Sequence, residues 1–298
     1  MSHSSSIWNA LSRDIAAATG VPFTCRRHTA VGGGCINSAY IIEDHDIEYF
    51  VKLNEANRED MFAAEYAGLN EIVNSHTISA PKPVCFGVTG TRSYIIMERI
   101  KRGAADKDTY VAFGRQLADM HRINHTQYGW HCANTIGSTP QINPLSDNWI
   151  EFWSESRLGY QLQLAARNGY GRHLAASGER LLERLPVFFI NHTPSPSLLH
   201  GDLWSGNYTS DMDGNPYIFD PAVYYGDRET DIAMTELFGG FPAQFYRAYE
   251  EAYPLEQDYR VRKKLYNLYH ILNHLNLFGE AYMTQAREMI NGLVSEAG

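Results

Sequence analysis

The sequence predicts an α+β fold of two lobes, an antiparallel-sheet N-terminal lobe followed by a mainly helical C-terminal lobe. Three observations predict it. Short runs rich in β-branched and aromatic residues, separated by polar or glycine turns, crowd the first 100 residues. Amphipathic helical patterns dominate the rest. A chain of 298 residues, 44% hydrophobic and 20% charged, is long enough for two packed units and too apolar for wholesale disorder. The composition shifts near Ile100, which divides the chain into residues 1–100 and 101–298.

Residues 7–19 carry Ile7, Leu11, Ile15 and Ala18 at helical spacing, and Gly20 and Pro22 stop the helix. Residues 27–31, 39–42 and 49–53 read as three strands, separated by Gly32-Gly33-Gly34 and by polar residues 43–46. A helix over 58–74 and two strands over 84–88 and 94–99 complete the first lobe. Helices are expected over 109–122, 149–167, 178–189, 244–253 and 258–278. Residues 198–219 interrupt them with short apolar runs and glycine-containing turns.

With 34 acidic against 25 basic side chains the net charge is −9, which argues against nucleic acid or an anionic membrane as the main partner. Cys25, Cys35, Cys85 and Cys132 form no C-x-x-C pair, so reduced thiols are expected rather than disulfides or a zinc site. No signal peptide or membrane-length apolar stretch is evident, and a cytoplasmic protein is expected.

Three places carry chemistry, and their order matters most. Gly32-Gly33-Gly34-Cys35-Ile36-Asn37 lies between two strands, where glycines let backbone N–H groups approach phosphate; as a motif alone, a glycine-rich hairpin is usually only a turn. Lys52 interrupts the apolar strand Phe50-Val51-Lys52-Leu53. A buried ammonium there needs a carboxylate such as Glu65 on the next helix, although Lys52 could also face water from an edge strand. Finally, 199–207 reads Leu-His-Gly-Asp-Leu-Trp-Ser-Gly-Asn, and Tyr217-Ile218-Phe219-Asp220-Pro221 follows. Asp202 and Asn207 have D-x-x-x-x-N spacing, and Asp220 comes 18 positions after Asp202. One carboxylate to deprotonate a hydroxyl, with an amide oxygen and a second carboxylate to hold magnesium, is what phosphoryl transfer from ATP requires.

This ordered set resembles the aminoglycoside and choline kinase-like branch of the protein-kinase-like fold, and within it the fructosamine kinase (ketosamine 3-kinase) family. The residues that carry the closer resemblance are 32–37, 200–207, Asp220-Pro-Ala-Val-Tyr-Tyr-Gly226, Arg228-Glu229 and Leu237-Phe-Gly-Gly-Phe241. It implies ATP and Mg2+, with residues 1–100 holding the nucleotide and 101–298 supplying catalysis and the substrate site. Asp202 would be the catalytic base, and Asn207 and Asp220 the magnesium ligands. Lys52, placed by Glu65, would hold phosphates together with Gly32, Gly33, Gly34, Cys35, Ile36 and Asn37. Met97, Glu98 and Arg99 would form the adenine hinge. His200 and Asp231 would support the catalytic loop.

The implied reaction is phosphorylation of the 3-hydroxyl of a ketosamine, fructosyl or ribulosyl, free or on a glycated lysine or protein, as a deglycation step. Trp204 would face the acceptor or pack the loop, and Asp227 and Glu229 would attract the protonated amine. Against protein kinases, Gly201 replaces the arginine of H-R-D, Pro221-Ala222 replaces Phe-Gly, and little chain remains for an activation loop. An enzyme that is on by default and acts on small substrates follows. The alternatives are a kinase of another amino-alcohol, such as an aminoglycoside or choline-like amine, and a nucleotide-binding pseudokinase. Cys35 reads as a redox-sensitive thiol or a small filler. The i, i+4 pairs His121/His125 and His270/His274 lack a third ligand and read as packing or surface histidines. Tyr224 and Tyr225 line the cleft or sit in the core.

Overall fold

The structure, a computed structural model, describes residues 4–32 and 36–298. Helix α1 (Ser4–Thr19) is followed by strands β1 (Arg27–Val31), β2 (Ser38–Asp44) and β3 (Ile47–Glu55). A 3-10 turn (Ala56–Arg58) leads into α2 (Glu59–Ser75), and β4 (Pro83–Thr89) and β5 (Arg92–Glu98) close the unit. The five strands form one antiparallel sheet in the order β1-β2-β3-β5-β4.

Period-2 alternation decides what each face of that sheet sees. Val51 and Leu53 of β3, with Tyr94 and Ile96 of β5, pack against Trp8, Leu11 and Ile15 of α1. Ile95 and Met97 point the other way, into the larger core that takes in Phe62, Leu69 and Ile72 of α2. Lys52 lies between Val51 and Leu53, so it projects to the α2 side, opposite Ile95 in the register. The strand therefore buries a lysine under the helix that carries Glu65.

Helix α3 (Lys107–His121) starts from a capping box in which Asp106 and Thr109 exchange side chain-to-backbone bonds. A small hairpin, β6 (Asn134–Ile136) and β7 (Thr139–Gln141), precedes α4 (Trp149–Trp153), a π turn (Ser154–Gly159) and α5 (Tyr160–Arg167). Then come α6 (Gly171–Arg184), a 3-10 turn (Leu185–Phe189) and β8 (Ser197–Leu199). The loop after β8 ends in a 3-10 turn (Ser205–Asn207), followed by β9 (Tyr208–Ser210), β10 (Pro216–Ile218) and β11 (Tyr224–Gly226). Four helices finish the chain: α7 (Glu229–Leu237), α8 (Ala243–Ala252), α9 (Tyr259–Phe278) and α10 (Met283–Glu296). No helix among the described residues is long and apolar enough to cross a membrane.

Every strand expected in the first 100 residues is present, with ends shifted by a residue or two. The second lobe departs more. The helix expected over 149–167 is broken at its centre by the π turn, whose extra backbone bulge turns Arg157 into the core. The helix expected from 178 begins at Gly171. Gly178 is not a start but a contact, since a Cβ there would meet Leu162 Cδ1 of α5 at 2.9 Å. Helix α10 and the β6–β7 hairpin were not expected. The first buries Ala286, Ile290 and Leu293 at helical spacing.

Candidate active site

The glycine-rich turn between β1 and β2 falls partly outside the described residues, which exclude Gly33, Gly34 and Cys35. Its flanks are placed. Asn37 Oδ1 accepts from Asn54 Nδ2 of β3 at 2.7 Å, and Ile36 is exposed.

Lys52 Nζ donates to Glu65 Oε1 at 2.5 Å and also to Asp220 Oδ1, so three distant segments meet at one ammonium. Burial alone would depress the Lys52 pKa, but Asp220 and Glu65 overcome it and hold the ammonium charged well above the usual lysine range. Helix α2 is fixed from behind. Tyr225 donates to Glu71 at 2.6 Å, and a Cβ on Gly68 would meet Val223 Cγ2 at 3.1 Å. Tyr225 is thus a structural tie between α2 and β11, and Tyr224 is core.

The loop after β8 is pinned at both ends. Asp231, buried at the start of α7, accepts from His200 N at 2.7 Å, Gly201 N at 2.8 Å and His121 Nε2 at 3.2 Å. Burial would raise its pKa, but hydrogen bonding and charge from His121, with the backbone N–H groups, keep it low. His200 joins the two chemical segments: Nε2 bonds the Phe219 carbonyl at 2.9 Å, and Nδ1 accepts from Asp202 N at 3.2 Å. That geometry assigns a neutral ring with its proton on Nε2, and burial lowers its pKa accordingly. Gly201, at φ +81°, admits no side chain, because a Cβ would lie 2.1 Å from the Ala222 carbonyl oxygen.

Asp202 is held by Asn207, whose Nδ2 donates to the Asp202 carbonyl at 2.8 Å and to Oδ2 at 3.2 Å. Burial, then the nearby Asp220 carboxylate, pushes the Asp202 pKa up to about 7, with Asn207 opposing. A carboxylate poised there suits proton abstraction from an alcohol. Asp220 is the one site residue with a left-handed backbone among the carboxylates, at φ +57°, a conformation that non-glycine residues hold only when their surroundings impose it. Its side chain is 44% exposed.

The residues expected to form a hinge are also placed. Met97 lies in the core one residue before the end of β5, Glu98 N donates to the Lys82 carbonyl at 2.9 Å, and Arg99 reaches Glu48 at 2.7 Å. Trp204 is 37% exposed and meets the Phe238 ring edge-on at 6.2 Å, so it packs the loop while presenting a face to solvent. Phe238 continues to His274 at 4.9 Å. His274 therefore belongs to an aromatic cluster, and His121 to the Asp231 support.

Two expected substrate residues are corrected. Asp227 and Glu229 are 1% and 0% exposed, and their oxygens are already taken. Asp227 accepts from His192 at 2.6 Å and from Tyr266 at 2.5 Å, while Glu229 is gripped by Arg262 at 2.7 and 2.9 Å. His192, Asp227 and Glu229 bring ligand atoms within 4.8 Å of one another, and their ligand atoms already have the partners just named. Neither carboxylate offers a free charge to an incoming amine. The cue in sequence was Arg262, a cation on the otherwise apolar face of α9.

Comparison with known proteins places the whole chain in one family. A model of the fructosamine kinase family matches residues 7–296. The chain is 45% identical over 284 residues to a probable ketoamine kinase of Synechocystis sp., covering 95% of each. It is 44% identical over 266 residues to the chloroplastic protein-ribulosamine 3-kinase of Arabidopsis thaliana, covering 88% of this chain and 81% of that one. A crystal structure from Haemophilus somnus 129PT, provisionally named a fructosamine-3-kinase, is similar with a TM-score of 0.88 at 30% identity, over 95% of this chain and 96% of that one. The aminoglycoside phosphotransferase APH(4)-Ia, in complex with AMP-PNP and hygromycin B, is similar in fold alone, with a TM-score of 0.60 at 15% identity over 97% and 98%.

Proposed function

The chain belongs to the fructosamine kinase family, and on that premise we propose that it transfers the γ-phosphoryl group of ATP to the 3-hydroxyl of a ketosamine, free or on a glycated lysine. The observation that carries the reading is the convergence of Lys52, Glu65 and Asp220 on one ion cluster, beside an Asp202 held by Asn207. Residues 1–100 hold the nucleotide in this reading, and residues 101–298 supply the base and the acceptor site.

The donor set fits magnesium. Asn207 spends its amide nitrogen on Asp202, which turns its oxygen away as a free acceptor, and Asp220 offers a partly exposed carboxylate. Bound there, magnesium would neutralise phosphate charge as the bond to the leaving oxygen breaks. Lys52, kept charged by its two carboxylates, neutralises further phosphate charge and is held in place by Glu65. The turn at 32–37 and the hinge at 97–99 meet the rest of the nucleotide. Asp202 orients the acceptor hydroxyl and takes its proton as the oxygen attacks. Trp204 offers an aromatic face beside that acceptor.

Phosphorylation at O3 labilises the sugar–amine adduct, which makes the reaction a deglycation step. We assign the work to the cytoplasm, where Cys25, Cys85 and Cys132 stay as free thiols. The test is ADP release with ATP and Mg2+ on ribulosyl-lysine, fructosyl-lysine, choline and kanamycin, with Asp202→Asn as control. Turnover on a ketosamine that the variant loses is the expected result. Turnover only on choline or kanamycin overturns the substrate, and silence on all four overturns the enzyme.

A further inference from the structure

Arg157 is fully buried and faces no carboxylate among the described residues. It is caged by Tyr224 at 4.1 Å and Phe152 at 4.6 Å. Its hydrogen bonds run to the Ile142 carbonyl at 2.8 Å, the Ser156 carbonyl at 3.0 Å and Asn143 Oδ1 at 2.7 Å. A buried cation without an anion is costly, and the π turn that inserts it has no role in the chemistry above.

The orientation of everything downstream follows from one fact: a guanidinium only donates. Asn143 must turn its oxygen to Arg157, so its Nδ2 points onward, to Asn134 Oδ1 at 3.1 Å and the Cys132 carbonyl at 3.0 Å. Asn134 then has its own Nδ2 free to donate to the Val223 carbonyl at 2.8 Å. A second branch enters from α9. Tyr269 donates to Gln141 Oε1 at 2.6 Å, which turns Gln141 Nε2 to Asn134 Oδ1 at 2.8 Å and to the Ala222 carbonyl at 3.2 Å. Arg157, Asn143, Asn134 and Gln141 are all buried. Both branches end on the two carbonyls that follow Asp220-Pro221. The same stretch is tied from its other side by Ala222 N donating to His200 O at 2.8 Å.

We propose that this one-directional amide chain, driven by Arg157 and carried by the β6–β7 hairpin, is the positioning device for the metal carboxylate: Asn134 and Gln141 fix residues 222–223 and thereby hold Asp220 in its left-handed conformation. These are positioning residues that act through the backbone. The chain takes the place of a movable, regulated segment, because the carbonyls it grips are buried and have no second set of donors among the described residues. The inference rests on the reading of Asp220 as a magnesium ligand.

The experiment measures binding of Mn2+ with ADP by electron paramagnetic resonance, beside thermal melting, on the full chain. Asn143→Asp keeps an acceptor for Arg157 but removes the donor to Asn134. Tyr269→Phe removes only the hydroxyl that orients Gln141. Leu181→Ala, on the buried face of α6, is the control for destabilisation without the network. Mn2+ affinity should fall about tenfold in Asn143→Asp, the scale on which outer partners of a metal ligand act, and by a smaller factor in Tyr269→Phe. Leu181→Ala should lower the melting temperature and leave the affinity unchanged. Wild-type affinity in Tyr269→Phe and in any folded Asn143→Asp overturns the inference, as does an equal loss in Leu181→Ala. Asp220→Asn in the same titration separates the two levels. If it binds Mn2+ as tightly as the wild type, the metal reading falls; if it alone is weakened, only the positioning chain falls.

Discussion

Two groups of carboxylates share the stretch from residue 202 to residue 231 and behave as opposites. Asp202 and Asp220, in the cleft, have few partners for their oxygens, and Asp202 is pushed up toward neutrality. Asp227, Glu229 and Asp231, at the start of α7, are saturated by His192, Tyr266, Arg262, His121 and backbone N–H groups. In the proposed reaction, substrate and metal would supply the partners that the first group lacks. The second group is satisfied, and it holds the loop still. The difference teaches that partner saturation and burial go together here: the acids proposed to react are the partly open, under-partnered ones, and the supporting acids are buried and saturated.

The sharpest way to break that comparison is Asp202→Asn. Activity should fall roughly 10³-fold, within the usual contribution of a general base, while the protein stays folded; near-wild-type turnover would remove Asp202 from the chemistry. Next is Glu229→Gln, which strands Arg262 in the interior. It should cost about 3–5 kcal/mol of stability in denaturant titration, with activity per folded molecule retained. A selective loss of activity without loss of stability would return Glu229 to the substrate site.

The raised Asp202 pKa sets two linked expectations. As a base it works deprotonated, so kcat/KM should rise with pH through an apparent pKa of about 7. For stability the sign is reversed. A carboxyl whose folded pKa exceeds its unfolded value favours the protonated native state, so the ligand-free enzyme should lose stability as pH climbs from about 4 to about 7. Asp202→Asn should therefore melt about 3 °C or more above the wild type at pH 8, and at pH 4 the gap should close. A constant gap would mean the charge is not the cause. The smallest expected effect is Tyr225→Phe, which removes one hydrogen bond to Glu71 and should cost about 1 kcal/mol. A loss several times larger would make that tie the main anchor of α2.

The Lys52–Glu65 pair was legible because a lysine on an apolar strand needs a carboxylate partner, and the order of the other polar residues fits what phosphoryl transfer would require. Lys52, Glu65, Asp202, Asn207, Asp220 and Asp231 stand in that order, and the alternation in β3 already puts Lys52 on the face away from Val51. What was not legible is set by partners far apart in sequence. Nothing local distinguishes Glu229 from an exposed acid until Arg262, 33 positions on, is brought beside it. The β6–β7 hairpin has strands of only three residues, too short for periodicity, and its role lies in amide side chains that meet Arg157 and residues 222–223. The π turn likewise leaves no pattern, because the helical period continues on either side of it.

The tight seat of α2 has a pharmacological consequence. Gly68 lies against Val223, and Glu71 is tied to Tyr225, so swinging this helix outward would break a packed contact and a hydrogen bond as well as the Lys52–Glu65 pair. A compound can only enrich a conformation by binding it better than the alternatives. Inhibitors that draw their selectivity from a displaced helix would have to outweigh all three of these ties, so the partly exposed Trp204 face is the easier place to seek discrimination.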